Sequence, residues 1–193
     1  GIVPNAQIGY SSYYQRPAEP QEEVAEAIIN AIDAVGEGGV ILLEVQRRGP
    51  TQNDNCTCNT SQCNYIAVEY LDADFDAIQL AVANGITVVE AAGNGSIDYD
   101  DPVYEGRFDP SVRDSGAILV TGVDYEDHSP LCWTNTGSRI DTYAWGENVA
   151  TLGYGSMHKG EDPSDPNQWY ASGFSGSSAA APIVAGAVAS LQS

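Results

Sequence analysis

The order of apolar and polar positions along the chain predicts three helices. Residues 21–35 have apolar side chains at helical spacing, acidic side chains in the first turn, and glycine at the end. Residues 72–84 repeat the helical pattern and stop at Asn84-Gly85. An alanine-rich stretch predicts a third helix over residues 178–190.

Between these helices, continuous apolar runs predict strands that are buried on both faces. The runs cover residues 40–43, 86–89 and 117–123, and residues 6–14 form a further extended run. Alternating strands and helices imply right-handed crossovers. We therefore predict an α/β fold, a three-layer, mostly parallel β-sheet with helices on both faces, in one domain over residues 1–193. Ligands bind such sheets at the carboxyl ends of the strands.

The charge balance bears on possible partners. The chain carries 27 acidic and 7 basic residues, a net charge of −20, and a single lysine, Lys159. This surface repels nucleic acid and anionic membranes, so we predict neither as a partner. No run reaches the roughly 20 apolar residues that cross a bilayer. A solvated acidic surface is the simpler interpretation of the charge, and recognition of a basic substrate is the alternative.

A polar loop over residues 47–64 contains most of the cysteines. The four cysteines of the chain are Cys56, Cys58, Cys63 and Cys132. Their even number predicts disulfides in an oxidising compartment, with the pairing open. Zinc is less favoured because the C-x-C-x4-C spacing is unusual and only His128 lies near a cysteine in sequence. Glycosylation sequons at Asn55 and Asn59 add to this pattern, and we predict an extracellular, secreted protein.

The strongest chemical signal is G-F-S-G-S-S-A-A-A-P-I-V-A-G, over residues 173–186. A serine at a helix start lies where the dipole and free amides stabilise negative charge, although a plain helix cap is the simpler interpretation of that position alone. The segment resembles the G-T-S-x-A-x-P-h-V-A-G block of the subtilisin family, with Ser177 in place of threonine. This resemblance implies that Ser178 is the nucleophile.

A second block supports the same resemblance. Residues 86–95 resemble the V-V-V-x-A-A-G-N block of the family, which implies that Asn94 donates to the oxyanion. An isolated Gly-Asn-Gly would instead indicate a turn. Residues 1–6 resemble the family's G-V-A-P-x-A segment, so the resemblance spans nearly the whole chain, with residues 47–64 as a cysteine-rich insertion. We predict a partial subtilisin-like peptidase domain over residues 1–193, incomplete at its N-terminal side.

The resemblance implies a serine endopeptidase that acts on a peptide or protein substrate. Its catalytic Asp and His-Gly-Thr blocks precede the segment resembled here, and neither His128 nor His158 lies in a matching block. Since serine needs a base, we expect an N-terminal fragment of the same precursor to supply it. One alternative is a catalytically incomplete domain that binds peptides. Another is an acid peptidase similar to the sedolisins, relatives that pair Ser with Glu and Asp but use Asp for the oxyanion.

Two carboxylates fall at the ends of neighbouring predicted strands. Glu44 and Glu90 are open to three interpretations: structural groups, recognition of a basic substrate residue, or catalysis beside Ser178. The predicted substrate-binding residues are Glu44, Val45, Gln46, Glu90, Ala91, Ala92 and Gly93. No cofactor is expected for the chemistry. The acidic group Asp98, Asp100, Asp101 and Asp109 predicts either a structural calcium site or a solvated loop.

Overall fold

The computed structural model describes residues 2–14, 23–50 and 56–192, and within these ranges it contains three α-helices and eight strands. The helices are α1 (Val24–Val35), α2 (Asp72–Ala83) and α3 (Ser177–Leu191). The strands are β1 (Val40–Leu43), β2 (Arg47–Arg48), β3 (Tyr65–Ile66), β4 (Thr87–Ala91), β5 (Ile118–Val123), β6 (Thr142–Trp145), β7 (Val149–Leu152) and β8 (Tyr170–Phe174). Single 3₁₀ turns cover Val68–Tyr70, Pro102–Tyr104 and Pro166–Gln168.

The main sheet is parallel throughout and has the strand order β1-β4-β5-β6. Its register places Leu43 opposite Glu90 and Val120 opposite Thr142. Two short antiparallel ribbons, β2 with β3 and β7 with β8, lie outside it. The predicted α/β fold with a parallel sheet is therefore confirmed.

The helices cover both faces of the sheet. Helices α1 and α2 pack on one face, where Ile28, Ile78 and Val88 share a buried cluster. Helix α3 packs on the other face, where Val89 contributes with Ala180 to a second cluster. Since Val88 and Val89 point to opposite faces, β4 is buried on both sides, as its continuous apolar run predicted.

Most predicted elements appear within a few residues of their expected bounds. Helix α1 begins at Val24, and residues 21 and 22 of its prediction lie outside the described residues. The strand predicted at residues 6–14 is wrong: this segment joins no sheet among the described residues, and Ile8 and Tyr10 are 90% and 97% exposed. A strand forms only where a neighbour completes its backbone hydrogen bonds. Strands β2, β3, β6, β7 and β8 were not predicted, and β2 falls within the predicted loop over residues 47–64.

The predicted disulfides are present. Cys56 pairs with Cys63, and Cys58 pairs with Cys132, with Cα–Cα distances of 5.8 and 5.9 Å. The second bridge ties the inserted loop to the segment after β5. Across the described ranges, none of the helices is long and apolar enough to cross a membrane.

Candidate active site

Ser178 lies in the first turn of α3, at the edge of a cleft of about 260 Å³. The preceding Gly176 has a φ of 111°, a conformation that only glycine adopts readily. This glycine lets the chain turn sharply from β8 into the helix. In the first turn of α3, the Ser177 N–H donates to Asn94 Oδ1 and the Ala179 N–H to the Gly176 carbonyl. The Ser178 N–H between them is the group at this helix start that can meet an anion. The cleft is lined by Tyr13, Glu44, Val45, Gln46, Tyr65, Ala91, Ser177 and Ser178.

Asn94 lies in the turn that follows β4, and its side chain is oriented by the start of α3. Its Oδ1 accepts a hydrogen bond from the Ser177 backbone N–H at 2.8 Å. In return, the Ser177 hydroxyl accepts from the Gly93 N–H at 3.1 Å. These reciprocal bonds join segments about 80 residues apart in the chain, so the two blocks that resemble the subtilisin family lie in direct contact.

The side-chain amide of Asn94 and the backbone N–H of Ser178 approach a common point above Gly176. A carbon placed on Gly176 in the position of a Cβ would lie 3.2 Å from Asn94 Nδ2 and 3.6 Å from Ser178 N. Asn94 Oδ1 also lies 3.6 Å from that point, but it is already bonded to the Ser177 N–H. Two N–H donors that meet beside a nucleophile can stabilise an oxyanion. This space is open because position 176 has no side chain.

A residue that the sequence analysis missed, Asn135, holds the turn around Asn94. Asn135 is fully buried. Its Nδ2 donates to the carbonyl oxygens of Tyr65 at 2.8 Å and Ala92 at 2.7 Å. Its Oδ1 accepts from the N–H of Gly95 at 2.8 Å and of Ile97 at 3.3 Å. One side chain therefore bonds to four backbone groups on both sides of Asn94, through contacts that no local pattern signals.

Two glutamines complete the surroundings of Asn94, and one of them, Gln62, was missed in the sequence. Gln46 accepts a hydrogen bond from the Asn94 backbone N–H at 3.0 Å. Gln62, in the disulfide-bonded loop, accepts from Asn94 Nδ2 at 3.0 Å. Gln46 was predicted as a cleft residue, but neither glutamine was expected to contact Asn94.

Glu44 faces the cleft close to Ser178. Glu44 is exposed at the cleft, and partial desolvation by the surrounding protein raises the pKa of its carboxyl to about 8. A hydrogen bond from the Ser178 hydroxyl acts in the opposite direction and lowers the pKa of Glu44. Below pH 8 the carboxyl is therefore mainly protonated. Among the described residues, no basic side chain forms a salt bridge with it.

Glu90 does not line the cleft, contrary to the prediction. Its side chain is fully buried, and its Oε1 accepts from the Glu69 backbone N–H at 3.1 Å. Burial raises the pKa of Glu90 well above its ordinary value, and the charge of Glu69 raises it further. Glu69 is paired with the buried Arg139 at 2.7 Å. Because neighbouring residues of β4 face opposite sides, Ala91 reaches the cleft and Glu90 does not.

Some of the remaining predicted substrate-binding residues line the cleft, and others lie in the turn behind it. Val45 and Ala91 line the cleft. Ala92 and Gly93 are buried behind it, where the Ala92 carbonyl accepts from Asn135 and the Gly93 N–H donates to Ser177. They position the turn rather than the cleft wall.

Neither histidine of the chain lies near Ser178 in the cleft. The ring of His128 lies 6.2 Å from that of Tyr143, and the ring of His158 lies 6.4 Å from that of Tyr170. Glu44 is thus the ionisable acid that the described residues place beside the candidate nucleophile.

The predicted modification and metal sites are placed as follows. Asn55 lies outside the described residues, and Asn59 is half-buried with its amide donating to Gln62 at 3.0 Å. In the acidic loop, Asp101 caps the turn at Val103 and Asp100 accepts from Ser138. The described part of the chain contains no group of three or more His, Cys, Asp or Glu side chains that could hold a metal ion.

Comparisons with known proteins show the family to which the chain belongs. The Subtilase family matches residues 1–193. A curated relative, "Subtilisin-like protease 2" of Arthroderma otae, is 35% identical over 118 residues, which cover 61% of this chain and 24% of the relative.

Solved structures show the same fold. A cold-adapted subtilisin-like serine proteinase has a TM-score of 0.61 at 18% identity, covering 99% of this chain and 55% of its own. The epidermin leader peptide processing serine protease of Staphylococcus aureus has a TM-score of 0.57 at 22% identity, covering 98% and 48%. The chain therefore spans about a quarter of the curated relative and about half of each solved structure.

Proposed function

Because this chain belongs to the subtilase family, we propose that it forms the nucleophile-bearing part of a serine endopeptidase. The observation that carries the proposal is the convergence of Asn94 Nδ2 and the Ser178 N–H above Gly176, next to the Ser178 side chain. Such preorganised donors stabilise negative charge only as it develops, which is what lowers the barrier to acyl transfer.

In the proposed reaction, Ser178 Oγ attacks the carbonyl carbon of the scissile peptide bond. The hydroxyl proton passes to a base, and the carbonyl oxygen becomes an oxyanion held by Asn94 and the Ser178 amide. Collapse of the tetrahedral intermediate gives an acyl-enzyme, and the base returns the proton to the leaving amine. Water then attacks the acyl-enzyme by the same route. Subtilases need no cofactor for this chemistry, and the acidic loop is not assigned a calcium ion because its carboxylates serve turns and caps.

The base and its orienting carboxylate are assigned to an N-terminal segment of the same precursor. Two features support this assignment. No histidine among the described residues lines the cleft, and β1 ends the sheet with one edge unpaired among those residues. A strand added to this edge would reach the cleft near Glu44, which follows β1 directly. The proposed partner is therefore a further strand with its attached catalytic residues.

Glu44 is proposed to favour a basic substrate side chain next to the scissile bond. A positive charge in the cleft would lower the pKa of Glu44, so binding and ionisation would reinforce each other. The chain's net charge of −20 would also attract basic peptides. An acid peptidase of the sedolisin type is disfavoured, since a carboxyl with a pKa of about 8 is protonated in acid and cannot accept a proton there.

An extracellular location is part of the proposal. The two disulfides fit an oxidising compartment, and the sequons at Asn55 and Asn59 fit the secretory pathway. The two disulfides would also stabilise the inserted loop outside the cell.

The test is peptide cleavage by the whole enzyme that contains this chain. We expect wild type and the exposed control Ser164→Ala to cleave a library of unfolded peptides, and Ser178→Ala to lose cleavage by about 10³-fold or more. Cleavage that persists in Ser178→Ala would refute the proposal. If the folded wild-type enzyme binds peptides without cutting them, the alternative of a peptide-binding module is correct instead.

A further inference from the structure

The inserted loop reaches the candidate oxyanion hole through one side chain, Gln62. Gln62 lies between Cys58 and Cys63 in the sequence, directly before Cys63. Its Oε1 accepts a hydrogen bond from Asn94 Nδ2 at 3.0 Å and another from Asn59 Nδ2 at 3.0 Å. Both lone pairs of this oxygen are therefore in use.

These contacts fix the plane of the Asn94 carboxamide. The χ2 torsion of an unrestrained asparagine varies widely, so its side-chain N–H groups would point in many directions. Here Oδ1 is held by the Ser177 N–H at 2.8 Å, and one hydrogen of Nδ2 is held by Gln62. Nδ2 carries two hydrogens, so one donor remains, and the open space above Gly176 lies 3.2 Å from Nδ2.

Gln62 is itself held in place. The bridge from Cys56 to Cys63 closes a short loop around it, and the bridge from Cys58 to Cys132 anchors that loop. Asn59 is in turn oriented by the Ser61 hydroxyl, which donates to Asn59 Oδ1 at 3.0 Å. The path from the disulfides to Asn94 thus runs through Gln62 and Asn59, and hydrogen bonds hold both side chains.

We propose that Gln62 is a positioning residue that aims the Asn94 amide at the oxyanion. The inserted, disulfide-bonded loop is then a support of the catalytic site and not only a surface insertion. This inference rests on the proposed function, because it assigns Gln62 a role through Asn94. A donor that is free to rotate must be oriented again in every reaction, which costs part of its contribution to the rate.

The first test is a double-mutant cycle on peptide cleavage by the whole enzyme. Losing a donor such as Asn94 costs about 10²–10³ in kcat. Gln62→Ala leaves Asn94 present but less fixed, so we expect kcat to fall about tenfold with KM little changed. In an Asn94→Ala background, Gln62→Ala should have no further effect on kcat. Thr60→Ala, an exposed neighbour that leaves the Asn59 sequon intact, is the matched control and should match wild type.

An unchanged kcat in Gln62→Ala, or an equal fall in both backgrounds, would overturn the proposal. A general loss of folding would lower activity in both backgrounds, so the cycle separates it from positioning. Wild-type enzyme without peptidase activity would refute the proposed function, and the role of Gln62 would then be decided by a second measurement. In Ser178→Ala protein, Gln62→Ala should shift the NMR signals of the Asn94 side-chain amide and speed its hydrogen exchange. Unmoved signals would show that Gln62 does not hold Asn94.

Discussion

Replacing Asn135 with leucine should destabilise the protein strongly, because leucine has a similar shape and no polar atoms. The side chain serves four backbone groups, which are the carbonyls of Tyr65 and Ala92 and the N–H groups of Gly95 and Ile97. In the variant, Ala92 would keep a hydrogen bond from the Tyr99 hydroxyl. The other three groups would lose the partner that Asn135 provides.

An unpaired buried polar group costs about 1–3 kcal/mol. Some of this cost is relieved by small shifts, and the Ile97 bond is long, so we expect Asn135→Leu to lose about 4 kcal/mol. With a urea m-value of about 2 kcal/mol/M, the unfolding midpoint should fall by about 2 M. Catalysis should fall as well, since the same four bonds fix the backbone on both sides of Asn94.

The assay is urea unfolding followed by tryptophan fluorescence, with disulfides intact. The exposed Asn167→Ala is the control and should change stability by no more than about 0.5 kcal/mol. A loss below about 1 kcal/mol in Asn135→Leu would mean that water or a rearranged turn replaces the amide. The assignment of Asn135 as the support of this turn would then be wrong.

Four further predictions concern the cleft and its loop. The Glu44 carboxyl should titrate near pH 8 by NMR, and Ser178→Ala should raise that midpoint because it removes a hydrogen bond that lowers the pKa; a midpoint near 4.5 would show that the cleft does not desolvate this carboxyl. Because folded Glu44 keeps a proton that the unfolded chain loses, its contribution to stability should decline from about pH 4.5 to pH 8, and Glu44→Gln should flatten that decline. Gly176→Ala should lower kcat by about 10²-fold, since a Cβ enters the oxyanion space at a φ of 111°; unchanged kinetics would place the oxyanion elsewhere. Removing the disulfide between Cys58 and Cys132, by substituting both cysteines with serine, should lower the free energy of unfolding by about 4 kcal/mol, because the bridge closes a separation of 74 residues. Urea unfolding measures this loss.

Elements with a strong apolar period were predictable from the sequence. Helix α2 was expected over residues 72–84 and is found at Asp72–Ala83, and β1 has the bounds that its apolar run indicated. By contrast, β6 and β7 lie where burial alternates between half-buried and exposed positions, so their sequences contain no continuous apolar run. Their positions depend on neighbours that a local pattern does not record.

Some residues of the candidate site were predictable from the sequence and others were not. Ser178 and Asn94 lie in motifs, so a family resemblance could indicate them. Asn135 and Gln62 act on the site from distant parts of the chain, through contacts that span 30 to 40 residues, and nothing in their local sequence marks them. Glu90 was assigned to the cleft because a strand that is apolar on both faces does not reveal which face its polar residue uses.

The central claim, that Ser178 is an activated nucleophile, is tested most directly with a fluorophosphonate probe, which reacts with the serine of serine hydrolases. The measurement is intact mass and peptide mapping of the whole enzyme after labelling, with Ser178→Ala as the matched variant. We expect one adduct on the peptide that contains Ser178, and no adduct in Ser178→Ala. A folded wild-type enzyme that stays unlabelled, or an adduct that persists in Ser178→Ala, would contradict the account.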